Sequence, residues 1–401
     1  MSRLTPMMKQ YMEIKEQNKD ALLFFRLGDF YEMFFQDAEI ASRELEITLT
    51  ARNCGLDKKA PMCGVPYHAA EGYIARLIEK GYKVAVCEQT QDPSEAKGIV
   101  ERDVVRVITP GTLLESSMLD ETNNNFILSI FMGKDGYGFS WADISTGEFY
   151  VSEIVGDRID SKIMDLVSSI SPKEVVVHED IEAEKTLNEI QTRYNALVTH
   201  YNNWVYEYYF AYEKLTGHFK VHSLEGYGCE HMDEGIRAAG ALLEYLSETQ
   251  KNSLRHITSI KPHQTQSSMV LDISTRRNLE LTETLRENNK KGSLLWLLDK
   301  TNTAMGGRLI RQWIQQPLTQ VSLITDRLEG VEEIYRNPIL MEELRVNLRN
   351  IYDLERLMGR ISYGNANARD LISFKQSLKQ LPAIKTALSQ FESNLLKSFY
   401  N

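Results

Sequence analysis

The sequence predicts a multidomain chain in which two α/β domains precede an all-helical segment. Three observations predict this. Strand-like and helix-like runs alternate through residues 1–115, a β-meander pattern opens residues 122–250, and residues 260–401 carry apolar side chains at helical steps. A length of 401 residues agrees with two to four domains at about 150 residues each.

In the first domain Thr5-Pro6 opens a helix, with Thr as N-cap and Pro in the first turn, and Met8, Tyr11 and Ile14 (or Met12) form its apolar stripe. Ala21–Leu27 reads as a buried strand broken by Gly28-Asp29, and Phe30–Leu45 as a helix with Tyr31, Phe34, Ala38, Ala41 and Leu45 on one side. Ile47–Thr50 is a short β-branched run and Asn53–Lys59 a loop. Ala69–Lys80 is helical with Gly81 as its stop, and Tyr82–Cys87 and Val104–Thr109 are strands, the second closed by Pro110-Gly111.

Thr122–Asn125 is a polar link. Phe126–Met132, Tyr137–Asp143 and Gly147–Ile154 form the meander, joined by Asp135-Gly136 and Ser145-Thr146-Gly147. A helix over Arg158–Ser169, a strand over Glu174–Val177, a helix over Ala183–Tyr194 and another over 235–249 complete the domain. In the last segment Ser293 caps Leu294–Asp299, Ala304–Gln315 stops at Pro317, and Asp326–Arg336 stops at Asn337-Pro338. The run from Leu340 to Ile361 reads as one helix ended by Gly364, followed by Arg369–Leu381 and Ile384–Phe399.

Apolar residues make up 42% of the chain and charged residues 25%, as in a globular protein. The four cysteines form no C-x-x-C pair, which argues against a disulfide framework or a cysteine-rich zinc site and for a reducing compartment. No apolar run approaches the roughly 18 residues of a membrane span, and the N-terminus lacks a signal core. The net charge of −10 argues mildly against nucleic acid as a partner. That charge is uneven. Residues 1–120 hold 15 basic and 19 acidic side chains, residues 121–259 hold 11 and 22, and residues 260–401 hold 20 and 15. The successive nets are −4, −11 and +5, which suggests domains with different partners.

No phosphate loop, H-E-x-x-H or G-x-S-x-G motif is present, and Met305-Gly306-Gly307-Arg308 lacks the Lys-Ser/Thr pair of a phosphate loop. His218 and His222 could lie one helical turn apart but lack a third ligand, so no metal site and no catalytic residue are assigned. Asp143 with Glu148 could be imagined as ligands of a metal-dependent nuclease, although the several converging carboxylates of a two-metal site are not evident.

The segment with the clearest functional content is Gly28-Asp29-Phe30-Tyr31-Glu32. An aromatic side chain just after a glycine turn can project from a domain rim, or Phe30 can be the first core residue of the helix. This segment resembles the G-D-F-Y-E motif of the MutS family of bacterial DNA mismatch-recognition proteins. Further segments resemble the same family in order: Pro61–His68, Val86-Cys87-Glu88-Gln89, Val105–Thr112, Asp143–Phe149, Leu271-Asp272 with Thr275, Asn278, Leu279 and Glu280, and Ser293–Pro317.

The resemblance implies a mixed-sheet mismatch-binding domain over 1–115, an RNase H-like connector over 122–250, and part of an all-α core or lever over 260–401. It implies binding of mismatched or looped duplex DNA in mismatch repair. Phe30 would be the stacking wedge and Glu32 the carboxylate that hydrogen-bonds the displaced base. Burial and the phosphate field would raise the Glu32 pKa, so that the acid donates. Glu32 read by itself is equally a first-turn helix acid. Gly28 and Asp29 would make the turn, Tyr31 would pack in the core, and Arg52, Tyr67, His68 and Arg76 are further candidates for backbone contacts or ordinary surface groups. By the same resemblance the connector engages a MutL-type partner, and the location is the bacterial cytoplasm at the nucleoid. Family members continue into a clamp and an ATPase domain, so the chain resembles an N-terminal portion with no enzyme activity or cofactor of its own. ATP, Mg and homodimerisation are expected of the full-length protein. A nuclease centred on Asp143 and a protein-interaction scaffold are the alternatives.

Overall fold

The computed structural model describes residues 4–55, 58–91, 98–134, 136–156, 159–251, 254–263 and 268–400. The first domain, here the head, runs α1 (Pro6–Gln17), β1 (Ala21–Leu27), β2 (Phe30–Phe34), α2 (Phe35–Leu45), β3 (Thr50–Arg52), β4 (Ala60–Pro66), α3 (Ala70–Glu79), β5 (Lys83–Gln89) and β6 (Arg102–Ile108). Its six-stranded sheet has the order β3-β4-β2-β1-β5-β6, with β1 and β5 parallel and the other pairs antiparallel. α2 and α3 pack on one face over Phe24, Tyr31, Met33, Cys63 and Val65, whereas α1 packs on the other over Leu23, Phe25 and Phe34. The expected cap holds, because the Thr5 hydroxyl accepts from the Met8 backbone N–H.

One expectation in the head is corrected. Phe30–Leu45 is not a single helix: Phe30–Phe34 is a strand, and the chain enters α2 only at Phe35, whose φ of +53° marks the sharp change of direction. Alternate burial along Phe30–Phe34 sends Tyr31 and Met33 to one face and Phe34 to the other. Glu32 is therefore not a first-turn helix acid. Strand β3 overlaps the β-branched run Ile47–Thr50 only at Thr50, and β4 falls where no strand was expected.

The connector contains β7 (Ile127–Met132), β8 (Gly136–Asp143), β9 (Glu148–Val155), α4 (Ile159–Ile170), β10 (Glu174–His178), α5 (Glu184–Tyr194), β11 (Leu197–Tyr201), α6 (Tyr208–Phe219), α7 (Asp233–Gln250) and β12 (Lys261–Pro262). Its sheet order is β11-β10-β7-β8-β9-β12; the β7-β8-β9 meander is antiparallel, while β7-β10, β10-β11 and β9-β12 are parallel. α6 and α7 cover one face, α4 and α5 the other. Asp135 of the expected hairpin turn, and Arg158 at the expected helix start, lie outside the described residues. His218 and His222 do not share a helix, because α6 ends at Phe219 and Lys220 is left-handed.

The last segment is helical: α8 (Ile273–Asn278), α9 (Leu294–Leu298), α10 (Ala304–Gln315), α11 (Val321–Arg336), α12 (Pro338–Leu348), α13 (Leu354–Tyr363), α14 (Ala368–Leu388) and α15 (Asn394–Tyr400). The expected helix from Leu340 to Ile361 is two helices, divided where the Asp353 carboxylate caps α13 by accepting from the Arg356 N–H. In contrast, α14 runs through Pro382 instead of breaking there. Leu344, Ala387, Phe391 and Leu396 form a small core, while Val321, Leu328, Tyr335 and Ile339, and further on Val346, Leu371, Ile372 and Phe399, stand exposed.

Candidate nucleic-acid interface

The candidate interface is built around the β1-β2 hairpin. Leu27 pairs with Phe30 across the two-residue turn Gly28-Asp29. Gly28 has φ +59°, and Asp29 is not among the positive-φ residues, as in a II′ hairpin turn with glycine at its first central position. The turn is held from two sides. The Arg26 side chain donates through Nε to the Gly28 carbonyl, and the Tyr67 N–H donates to the Asp29 carbonyl at 2.9 Å. The Arg26 guanidinium lies 3.8 Å from the Tyr67 ring centroid and 5.5 Å from that of Tyr31. Tyr31 is buried, and its hydroxyl donates to Glu88, which also lies 3.6 Å from the Arg26 guanidinium. Burial first, and then the Glu88 carboxylate, push the Tyr31 phenol far above its ordinary range, so it stays a donor.

On this scaffold Phe30 is 46% exposed, although an aromatic side chain in a small domain ordinarily finds cover. Its neighbour on β4 is Pro66. Two residues along the same strand face, Glu32 lies opposite Phe25 on β1 and Gly64 on β4. A Cβ at Gly64 would come within 3.4 Å of the Glu32 Cγ, so this position keeps space for the acid. The Glu32 carboxylate accepts from Arg52 Nη1 at 2.5 Å, and the two side chains are 16% and 42% exposed. The strand register places Phe30, Glu32, Gly64 and Arg52 on one sheet face, with Phe30 next to the turn and Arg52, opposite Ala60 on β4, reaching back along the face to Glu32.

Phe30, Glu32 and Arg52 are thus brought together, with Gly28 and Asp29 shaping the turn and Tyr67 beside it. His68 is exposed and contacts Tyr67 edge-on at 5.8 Å between ring centroids. Arg76 is not brought to the group: it is exposed on α3, across the sheet from Phe30 and Glu32. Sequence reading missed Arg26, Gly64 and Glu88. Arg26 left one signal, as the only charged residue in the apolar run Ala21–Leu27.

Asp143 has a different task. It is fully buried, with Oδ1 accepting from the Ser145 N–H at 2.9 Å and hydroxyl at 2.6 Å, and Oδ2 from Asn124 Nδ2 and the Asn125 N–H, both at 3.0 Å. These bonds occupy both carboxylate oxygens and fold the β8-β9 turn onto the polar link. Glu148 beside it accepts from Asn124 and Tyr150, and burial raises its pKa. No group of three or more His, Cys, Asp or Glu that could hold a metal ion occurs among the described residues.

Fold and site define a class: a multidomain chain with a small mixed-sheet head, a second mixed-sheet domain and a helical continuation, whose head carries an exposed aromatic ring and, two residues on, a covered, ion-paired acid on a fixed hairpin. Residues 5–117 match MutS domain I, residues 125–258 MutS domain II and residues 274–400 MutS domain III. The chain belongs to the MutS family. It is 54% identical over 404 residues to the DNA mismatch repair protein MutS of Alkaliphilus oremlandii, covering 100% of this chain and 46% of that protein. The protein of the same name from Lachnoclostridium phytofermentans is 53% identical, covering 100% and 43%. That from Ruminiclostridium cellulolyticum is 50% identical, covering 99% and 45%. The chain spans about half the length of the curated relatives it matches.

Proposed function

We propose that this chain carries the mismatch-reading head of a DNA mismatch-repair protein, with Phe30 as the wedge and Glu32 as the contact to the displaced base. Flanking sequence around a mismatch is arbitrary, so base edges cannot identify it, whereas its lower cost of unstacking and kinking can. An apolar ring inserted from the minor groove tests that cost, at a few kcal/mol per unstacked step, and stacking on any base returns about 1–3 kcal/mol. The observation that carries the reading is the exposed Phe30 at the tip of a hairpin braced by Arg26 and Tyr67. A ring on a rigid support can transmit force, whereas one on a mobile loop would fold aside. Glu32 follows on the same face, within reach of a base displaced by the ring. Tyr67, His68 and Arg52 flank the hairpin as candidate contacts to the DNA backbone, and Arg76 would reach DNA only from the other side of the head.

The connector holds most of the negative charge and is the candidate platform for a MutL-type partner, since an acidic surface suits protein better than phosphate. The buried, fully bonded Asp143 favours a structural role over nuclease chemistry.

The test is Phe30→Ala in the full-length gene product, measured on a matched duplex and on the same duplex with one G·T pair. Expected is an unchanged melting temperature with preference for the mismatch reduced roughly tenfold or more. Preference equal to that of the parent protein would remove Phe30 from the wedge role.

A further inference from the structure

The Glu32–Arg52 pair has an asymmetry that its proximity to Phe30 makes functional; the inference rests on the reading of the head as the DNA-contacting domain. The Glu32 side chain is mostly covered, and Arg52 is its ion-pair partner among the described residues. Around it, Phe25 of β1, Gly64 and Met62 of β4 and Thr50 of β3 carry no charge. Arg52 stands on β3, the edge strand of the sheet, and among the described residues one of its five N–H donors is bonded, to Glu32. Lys58 and Lys59 are exposed just beyond it.

We infer that Arg52 is a positioning residue that exchanges the Glu32 carboxylate for a DNA phosphate when the head docks. A guanidinium binds carboxylate and phosphate by the same fork geometry, so the swap conserves the type and number of charge-assisted bonds. It does not conserve the situation of Glu32, which is left as a covered carboxylate facing the duplex without its countercharge. A hydrogen bond shared with a displaced base offsets that loss, and a stacked Watson–Crick pair supplies none. The exchange therefore costs more on matched than on mismatched DNA, which makes Arg52 a specificity determinant as well as a backbone contact. In the empty head the same pair keeps Glu32 aimed along the strand face and keeps Arg52 from binding phosphate indiscriminately.

The experiment is a double-mutant cycle in the full-length gene product with Arg52→Ala, Glu32→Gln and the double variant, plus Arg52→Lys, titrating the matched and G·T duplexes over a range of salt. Arg52→Ala is expected to lower the slope of log K against log salt by about one on both duplexes, and Arg52→Lys to restore it. Glu32→Gln, by releasing Arg52, is expected to tighten binding to the matched duplex several-fold, and to do so less in the Arg52→Ala background. The two single effects should thus fail to multiply by more than about twofold. Multiplicative effects within that margin, or an unchanged slope in Arg52→Ala, overturn the exchange. Slope and coupling are read on matched DNA, which the wedge does not open, so they stand or fall separately from the mismatch preference lost in Phe30→Ala.

Discussion

At Gly28 the head depends on a conformation that other residues reach only with strain. Its φ is +59°, and nothing lies within 4 Å of where a Cβ would stand, so a side chain there would meet no neighbour and the penalty would lie in the backbone alone. For an L-residue that penalty is about 1–2 kcal/mol. Gly28→Ala is expected to destabilise the head by that amount in urea unfolding, with the remaining domains unaffected. An unchanged midpoint would mean that the turn relaxes into another type at no cost. The motif singled out Phe30, Glu32 and Gly28, which lie on the β1-β2 hairpin. Arg76 was legible only as a basic residue near a motif. Whether it shared a face with Phe30 depended on knowing that Phe30–Phe34 is a strand, because period two assigns faces and period 3.6 scrambles them. Glu88 acts through contacts to Tyr31 and Arg26, and Arg26 through its contact to Tyr67, all between strands far apart in sequence, which no local pattern encodes.

Helix α13 shows what element boundaries accomplish here. Arg356 on it is 4% exposed and donates to the Ser145 hydroxyl at 3.1 Å, the Asp120 carbonyl at 2.8 Å and the Asn123 carbonyl at 2.7 Å. Asp143 organises the same Ser145, so the helical segment grips the connector through one buried arginine seated on a pre-folded turn. One turn later Gly359 approaches so closely that a Cβ would sit 2.6 Å from the Ser145 carbonyl oxygen. Gly359→Ala is expected to cost about 1–3 kcal/mol by overpacking, read as faster hydrogen exchange in the β8-β9 turn and the 119–125 link, with head strands unchanged. Unaltered exchange there would show that the docking tolerates a wider gap. Helix starts at Thr5 and Ser293 and the stop at Gly364 were readable, since caps are local chemistry. The division of Leu340–Ile361 was not, because its apolar spacing continues across the Arg349–Asp353 break while the Asp353 cap draws its value from Arg308, which binds it with both terminal nitrogens at 2.7 and 2.8 Å. The two-residue strand β12 exists only because β9 lies beside it.

Across the whole molecule the titratable groups divide by domain, and this sets an order of acid unfolding. Four histidines of the connector and its last strand, His178, His218, His256 and His263, have pKa values lowered by burial. His256 bonds to the Ile144 carbonyl at 2.8 Å and packs 4.8 Å from Tyr363 of α13, while His263 lies edge-on to Trp141 at 5.2 Å. A base with a depressed folded pKa is neutral in the native state while the unfolded chain takes up protons near pH 6.5. Stability therefore falls as pH drops through that value, and the loss is complete below the folded pKa. Glu148 and Asp165, raised chiefly by burial, oppose this by losing their charge early. The head has one histidine, His68, which is exposed. Its Asp20 is lowered: burial opposes the shift, but Lys83 outweighs it, so this contribution is present at neutral pH and disappears only as pH falls below about 4. Between pH 7 and pH 5, protection factors corrected for intrinsic exchange should fall in β7–β10 and at the docked end of α13, while β1, β2 and β5 remain protected. Simultaneous loss, or loss from the head first, would show that buried histidines do not control the order. If the connector yields first, acid separates the β1-β2 hairpin from the helical segment before it disturbs the hairpin itself, because α13 is anchored on the domain that carries the buried imidazoles.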